Sequence, residues 1–252
     1  MTFSQSFILL LAAFGAGVLK AVAGGGTFMI FPALMFSGVD PIRANATSTV
    51  ALWPGDVASA LAYRRELAGQ GRLTVELGAA SLLGGAIGAV LLLHSSRTTF
   101  STLVPVMLLM ATLLFTFGNP LLARLRGASE ARPPSRSLFI LMQFGVSIYG
   151  GYFGAGLGIL MLALFSVMGL KNIHQANALK AVLGVLLNGL VTLIFVGADA
   201  IAWEHGVLVM VGTTSGSFLG AVVAQQIEPG RVRAFVGVTA WAMTGYYFWR
   251  GA

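Results

Sequence analysis

Lys20-Ala21-Val22-Ala23-Gly24-Gly25-Gly26-Thr27-Phe28 interrupts an apolar run that extends from residue 5 to residue 37. A helix rises 1.5 Å per residue, so about 20 apolar residues cross a bilayer, and a run of about 32 is too long for one straight crossing. Glycine lets a membrane helix unwind. The freed N–H groups then cost several kcal/mol each unless protein, water or a ligand satisfies them. The run is therefore expected to be broken at Gly24–Gly26 and to restart near Thr27. A second long run, 138–169, carries the same kind of interruption at Gly154-Ala155-Gly156-Leu157-Gly158, with a restart expected near Ile159.

Around these two runs the chain reads as eight apolar segments, at about 5–37, 44–63, 73–94, 99–118, 138–169, 174–196, 203–224 and 230–249. Six are close to one bilayer crossing. Of the 252 residues 57% are hydrophobic and only 9% are charged, against about 25% charged in an ordinary soluble domain. The 33 glycines fit membrane helices better than soluble ones. The fold class is thus an all-α integral membrane protein. The absence of cysteine removes disulfides and thiolate chemistry. The net charge of +7 sits in short loops, as expected of topology signals rather than of a nucleic-acid surface. No basic residue precedes the first apolar run and Lys20 lies on its far side, so it is read as mature protein rather than as a signal peptide.

The two halves repeat. A shift of 132 residues lays Ala23-Gly24-x-Gly26 on Ala155-Gly156-x-Gly158, Ala44-Asn45-Ala46 on Ala176-Asn177-Ala178, and Gly84-x3-Gly88-Ala89 on Gly216-x3-Gly220-Ala221. Residues 1–118 form the first transmembrane repeat, 119–137 a polar linker containing Pro133-Pro134, and 138–252 the second repeat. If each long run crosses once, the halves point the same way and loop Lys and Arg divide 8 to 5. If each is a re-entrant hairpin, the halves are inverted and the division becomes 10 to 3. Inversion satisfies the positive-inside rule better, and internal repeats of this kind mark secondary transporters.

A helix that restarts after a glycine break points its positive dipole end at the break. Two such ends near mid-membrane would make an anion site from Gly24, Gly25, Gly26, Thr27, Gly156 and Gly158. The competing reading is close helix packing, which glycine also serves. Three ionisable residues lie inside apolar segments, where each charge costs about 2.5–3.5 kcal/mol on insertion scales: Lys20, Asp56 and Lys180. Lys180 follows Asn177 by three residues and shares its helix face; Ser48 stands in the same relation to Asn45. These four are candidates for hydrogen-bonding an oxyanion. Asp56, after Trp53-Pro54-Gly55, reads either as an ion-pair partner of a lysine or as the carrier of a coupling proton. Lys20 is its candidate partner, with snorkelling to an interface as the alternative.

Catalysis finds no footing. There is no His-Glu-x-x-His, Thr213-Thr214-Ser215-Gly216 misses the nucleophile elbow, and Gly154-x-Gly156-x-Gly158 lacks the strand–helix context of a dinucleotide site. His94, His174 and His205 do not share helical spacing, so no metal site and no cofactor is expected.

Ala23-Gly24-Gly25-Gly26-Thr27 with Pro32, then Ala44-Asn45-Ala46-Thr47-Ser48, Tyr63-Arg64-Arg65 and Gly150-Gly151-Tyr152-Phe153-Gly154-Ala155-Gly156-Leu157-Gly158, resemble the sulfite exporter TauE/SafE family of membrane transporters. The resemblance covers essentially the whole chain. It implies a multi-pass protein of a bacterial or archaeal cytoplasmic membrane that moves sulfite, a sulfonate or a related organosulfur oxyanion. Leu157 in place of a middle glycine, and the lack of a proline matching Pro32, set the second half apart. The expected partners are a small anionic substrate and the lipid bilayer, with proton coupling and self-association left open. A channel-like anion or small-solute pore is the alternative function, and a non-transporting scaffold or sensor is the third.

Overall fold

The computed structural model describes residues 3–23, 25–67, 71–128, 135–170, 172–223 and 229–250. They form ten α-helices: α1 Phe3–Ala23, α2 Thr27–Phe36, α3 Pro41–Tyr63, α4 Gly71–His94, α5 Arg97–Ala128, α6 Arg136–Tyr152, α7 Leu157–Val167, α8 Ile173–Gly197, α9 Trp203–Val223 and α10 Pro229–Arg250, with a 3-10 turn over Arg64–Leu67. No strand occurs among the described residues. Both long apolar runs are divided, the first into α1 and α2, the second into α6 and α7. The second restart comes at Leu157, two residues before the expected Ile159, because Leu157 N–H already bonds the Gly154 carbonyl. Helix α5 carries on to Ala128, so the polar segment from residue 119 begins inside a helix.

Starts are set locally. Asp40 caps α3, its carboxylate accepting from the N–H groups of Ile42 and Arg43, with Pro41 in the first turn. Ser135 caps α6 through Leu138 N–H. Helices α3, α4 and α5 begin at 41, 71 and 97; α8, α9 and α10 begin at 173, 203 and 229, each 132 residues later. Leu83, Ile87, Leu91, Leu193, Val211 and Phe218 are among the large apolar side chains left exposed, the outer surface expected of helices whose solvent is lipid.

Contacts between helices give their directions. Arg43, at the start of α3, donates to the carbonyls of Asp199 and Ile201, just beyond the end of α8. Thr47 accepts from Ala202 N–H. Helices α3 and α8 therefore run antiparallel. Helix α5 opposes α10 in the same way: Thr112 meets Thr244 and Thr116 meets Trp241. Helices α1 and α9 run parallel, Leu10 lying beside Gly212 and Gly17 beside Ser217. So do α4 and α6, joined by Glu76–Arg136 at one end and Gly88–Tyr152 farther along. The equivalents α3 and α8, and α5 and α10, thus point in opposite directions. The chain enters with α1, returns with α2, and starts α3 on the side where α1 began.

Close contact within these parallel pairs depends on glycine. A Cβ on Gly88 would sit 2.1 Å from the Ile148 carbonyl oxygen, and one on Gly216 would sit 2.0 Å from that of Phe14. Backbone contact of this kind is how membrane helices gain packing energy where lipid offers no hydrophobic contrast. At the heart of the bundle, three hydrogen bonds join residues that are 132 apart: Trp53 to the Val185 carbonyl, Asn188 to Asp56, and Thr112 with Thr244. A residue that touches its own repeat equivalent lies on the axis relating the halves. That axis passes through the middles of α3, α8, α5 and α10.

Candidate functional site

Helices α2 and α7, of 10 and 11 residues, are about 15 Å long and cross half of a ~30 Å hydrocarbon core. Their N-termini lie near the level of the axis. Gly156 packs on Ala111, next to Thr112 on the axis, and Gly26 packs on Leu52, next to Trp53. The second break is held open by glycine: Gly154 and Gly156 have φ of +75° and +74°, in the left-handed region that other residues enter at a cost. Tyr149 O–H braces it by donating to the Ala155 carbonyl. The N–H groups of Ala155, Gly156 and Gly158 have no backbone acceptor among the described residues. The first break is built differently. Gly26 is right-handed, with φ of −56°, and its carbonyl accepts from Met29 and Ile30. Gly25 and Thr27 flank it; Gly24 lies outside the described residues.

A charged cluster stands beside these helix ends. The Lys20 ammonium is 3.0 Å from Asp56 and also donates to the Leu52 carbonyl; the two side chains are only 14% and 16% exposed. Asn188 donates to the other Asp56 oxygen at 2.8 Å. Gly55 and Gly184 make room, the first under the Lys20 stem and the second under the Asp56 carboxylate. Pro54 cannot donate to the preceding turn, yet α3 passes through it unbroken. Nearby carbonyls are taken from outside, Ala51 by Thr213 and Leu52 by Lys20. Of the two sequence readings of Asp56, the geometry supplies the ion pair.

Lys180 is one turn before Gly184 on α8. Its stem crosses Gly158 at the start of α7, and its ammonium donates to the Asn177 side-chain carbonyl at 2.9 Å. The Asn177 N–H groups face no acceptor among the described residues. Asp56 and Lys20 are both within electrostatic reach of Lys180, but among the described residues no carboxylate lies within 4 Å of it. The cluster therefore holds two cations and one anion.

Asn45 and Ser48 do not join this cluster. The axis crosses α3 near Pro54 and α8 near Leu186, so Asn45 and Asn177 sit nine residues out on antiparallel helices. They are roughly 25 Å apart along the bundle and cannot hold one small anion between them. Asn45 instead donates to the Tyr152 carbonyl at 2.9 Å, tying the start of α3 to the second break. Its own carbonyl oxygen is buried without a partner among the described residues. Ser48 spends its hydroxyl proton on the Asn45 main-chain carbonyl, which Thr49 shares. Asn188, missed as a site residue from sequence, was accessible there as the 132-residue counterpart of Asp56.

Residues 9–247 match the family described as Sulfite exporter TauE/SafE. A "Probable membrane transporter protein" of Haemophilus influenzae is 28% identical over 239 residues, 94% of this chain and 92% of that protein. The "Probable membrane transporter protein YfcA" of Escherichia coli K12 is 25% identical over 216 residues, 85% of this chain and 78% of that one. "Probable membrane transporter protein ORF9" of a Sinorhizobium species is 26% identical over 228 residues, 90% and 84% of the two chains. No solved structure gives a significant match. With its helical, lipid-facing architecture and a family match over nearly its whole length, the chain is a multi-pass membrane protein that belongs to the sulfite exporter TauE/SafE family.

Proposed function

We propose that this protein is a secondary transporter of a small oxyanion of the sulfite or sulfonate class, working by alternating access in a bacterial or archaeal cytoplasmic membrane. One observation carries the reading: Lys180, a half-buried lysine with no carboxylate in contact among the described residues, lies across the start of a half-length helix whose first N–H groups have no backbone acceptor there. A helix N-terminus and an ammonium group both favour negative charge, and low polarity strengthens both. Family membership and the names of the relatives support transport and the choice of sulfur oxyanions. Inverted repeats supply the motion: one hairpin opens to each side, and rocking one repeat against the other exposes the site alternately. By the positive-inside rule, the face bearing Arg64, Arg65, Arg72 and Arg136 is cytoplasmic.

Proteoliposomes containing the purified chain test this. Labelled sulfite should accumulate against its own gradient when a proton gradient is imposed, and the flux should saturate. Flux that only equilibrates would select the pore, and no flux with any sulfur oxyanion would select a scaffold or sensor.

A further inference from the structure

The repeats are alike in backbone but unlike in charge. Around the second helix break and the α3–α8 contact, Lys20, Asp56 and Lys180 contribute a formal charge of +1. Their equivalents 132 residues away are Tyr152, Asn188 and Ser48, which contribute none. Asn188 donates to Asp56 at 2.8 Å, on the oxygen that does not face Lys20. The Asp56 charge offsets Lys20 at 3.0 Å, which leaves the Lys180 charge in excess.

In a medium of low polarity an unbalanced charge is costly, so a pocket of net +1 reaches neutrality with one negative charge and is left at −1 by two. We propose that this charge count selects singly charged oxyanions, such as an alkylsulfonate or bisulfite, over doubly charged ones such as sulfate. Asp56 is the residue that sets the selectivity, by neutralising Lys20 rather than by touching the substrate. This rests on the oxyanion-transporter reading above.

The test uses two anions of fixed charge, methanesulfonate and sulfate, titrated against the thermal stability of the purified chain at constant ionic strength. A ligand that binds the folded state raises its stability by mass action. Sulfate should need at least about tenfold higher concentration than methanesulfonate, a difference of about 1.4 kcal/mol. Asp56→Asn raises the count to +2 and should shrink or reverse that gap. Lys20→Met lowers it to zero and should weaken methanesulfonate at least about tenfold; adding Asp56→Asn to Lys20→Met restores +1 and should restore both affinity and preference. A merely structural ion pair would also regain stability when both partners are removed, but it would leave the methanesulfonate-to-sulfate preference the same in every variant. Should Asp56→Asn fail to fold, Lys20→Met and the double variant carry the comparison. Equal affinities in the unmodified chain, or no rescue in the double variant, overturn the charge rule while leaving the transporter reading intact. No stabilisation by any sulfur oxyanion would sink the transporter reading itself.

Discussion

The two ends of the α3–α8 pair have the same backbone and opposite chemistry. Toward the Arg136 face, α8 carries Asn177 and Lys180, and the ion pair of Lys20 with Asp56 stands next to them. Toward the Arg43 face, α3 carries Asn45, which donates to the Tyr152 carbonyl, and Ser48, whose hydroxyl proton goes to the Asn45 main-chain carbonyl. One end keeps a lysine with no carboxylate in contact among the described residues; the other has turned the same positions into internal ties. A repeated fold thus fixes where polar residues stand without fixing what they do.

The sharpest way to break this comparison is topological. The chain has no cysteine, so single cysteines at Arg43 and at Asn172, before α8, can be labelled cleanly. Antiparallel α3 and α8 require the two to react from opposite sides of the membrane, all or none. Labelling from the same side would dissolve the opposed ends altogether.

Next in size is the pair Lys180→Met and Ser48→Ala. Uptake of labelled sulfite by proteoliposomes should fall at least about a hundredfold in the first and stay within about threefold in the second. One lost charge-assisted contact in a dry site is worth about 2–3 kcal/mol or more, whereas the Ser48 hydroxyl already serves its own helix. Comparable losses in both would show that the two ends contribute alike.

The breaks themselves differ in a way that thermal unfolding can read. Gly156→Ala forces a side chain into a left-handed backbone and should cost about 1–2 kcal/mol. Gly26→Ala keeps an allowed backbone, but its Cβ meets the Ala16 carbonyl oxygen at 2.8 Å and the Leu52 side chain at 2.9 Å. Shortening Leu52 to Ala in the same chain should therefore recover part of the loss from Gly26→Ala, whereas no neighbouring truncation should help Gly156→Ala.

The smallest effect sharpens the neutral end. Asn45→Ala removes the tie to the Tyr152 carbonyl, worth about 1 kcal/mol, together with a buried carbonyl oxygen that has no described partner. A lowering of the melting temperature by a few degrees, with sulfite affinity kept within about twofold, is the expected result. A large loss of affinity would return Asn45 to the substrate site.

Much of this fold was written in composition and spacing. Glycine triplets in over-long apolar runs mark the two breaks because no other residue frees the backbone so cheaply in lipid. The three-residue spacing of Asn177 and Lys180 puts both on one helix face, as expected, but their hydrogen bond to each other was not part of that reading. The grouping of Asn45 with Asn177 was not legible. A sequence repeat states which residues correspond, but an antiparallel relation sends corresponding residues to opposite ends unless they lie on the axis. Asp56 and Asn188 do lie on it, and their contact could be located only once the helix directions were known.

That axis has a consequence for pairing. Two identical chains related by a two-fold present the same residue from each side of their axis, so an aspartate on it would face an aspartate. With the halves joined in one polypeptide, Asp56 can face Asn188 rather than another aspartate, and Lys20 can correspond to a tyrosine. One carboxylate then stands on the axis with an amide as its hydrogen-bond partner, a pairing that two identical chains have no way to build.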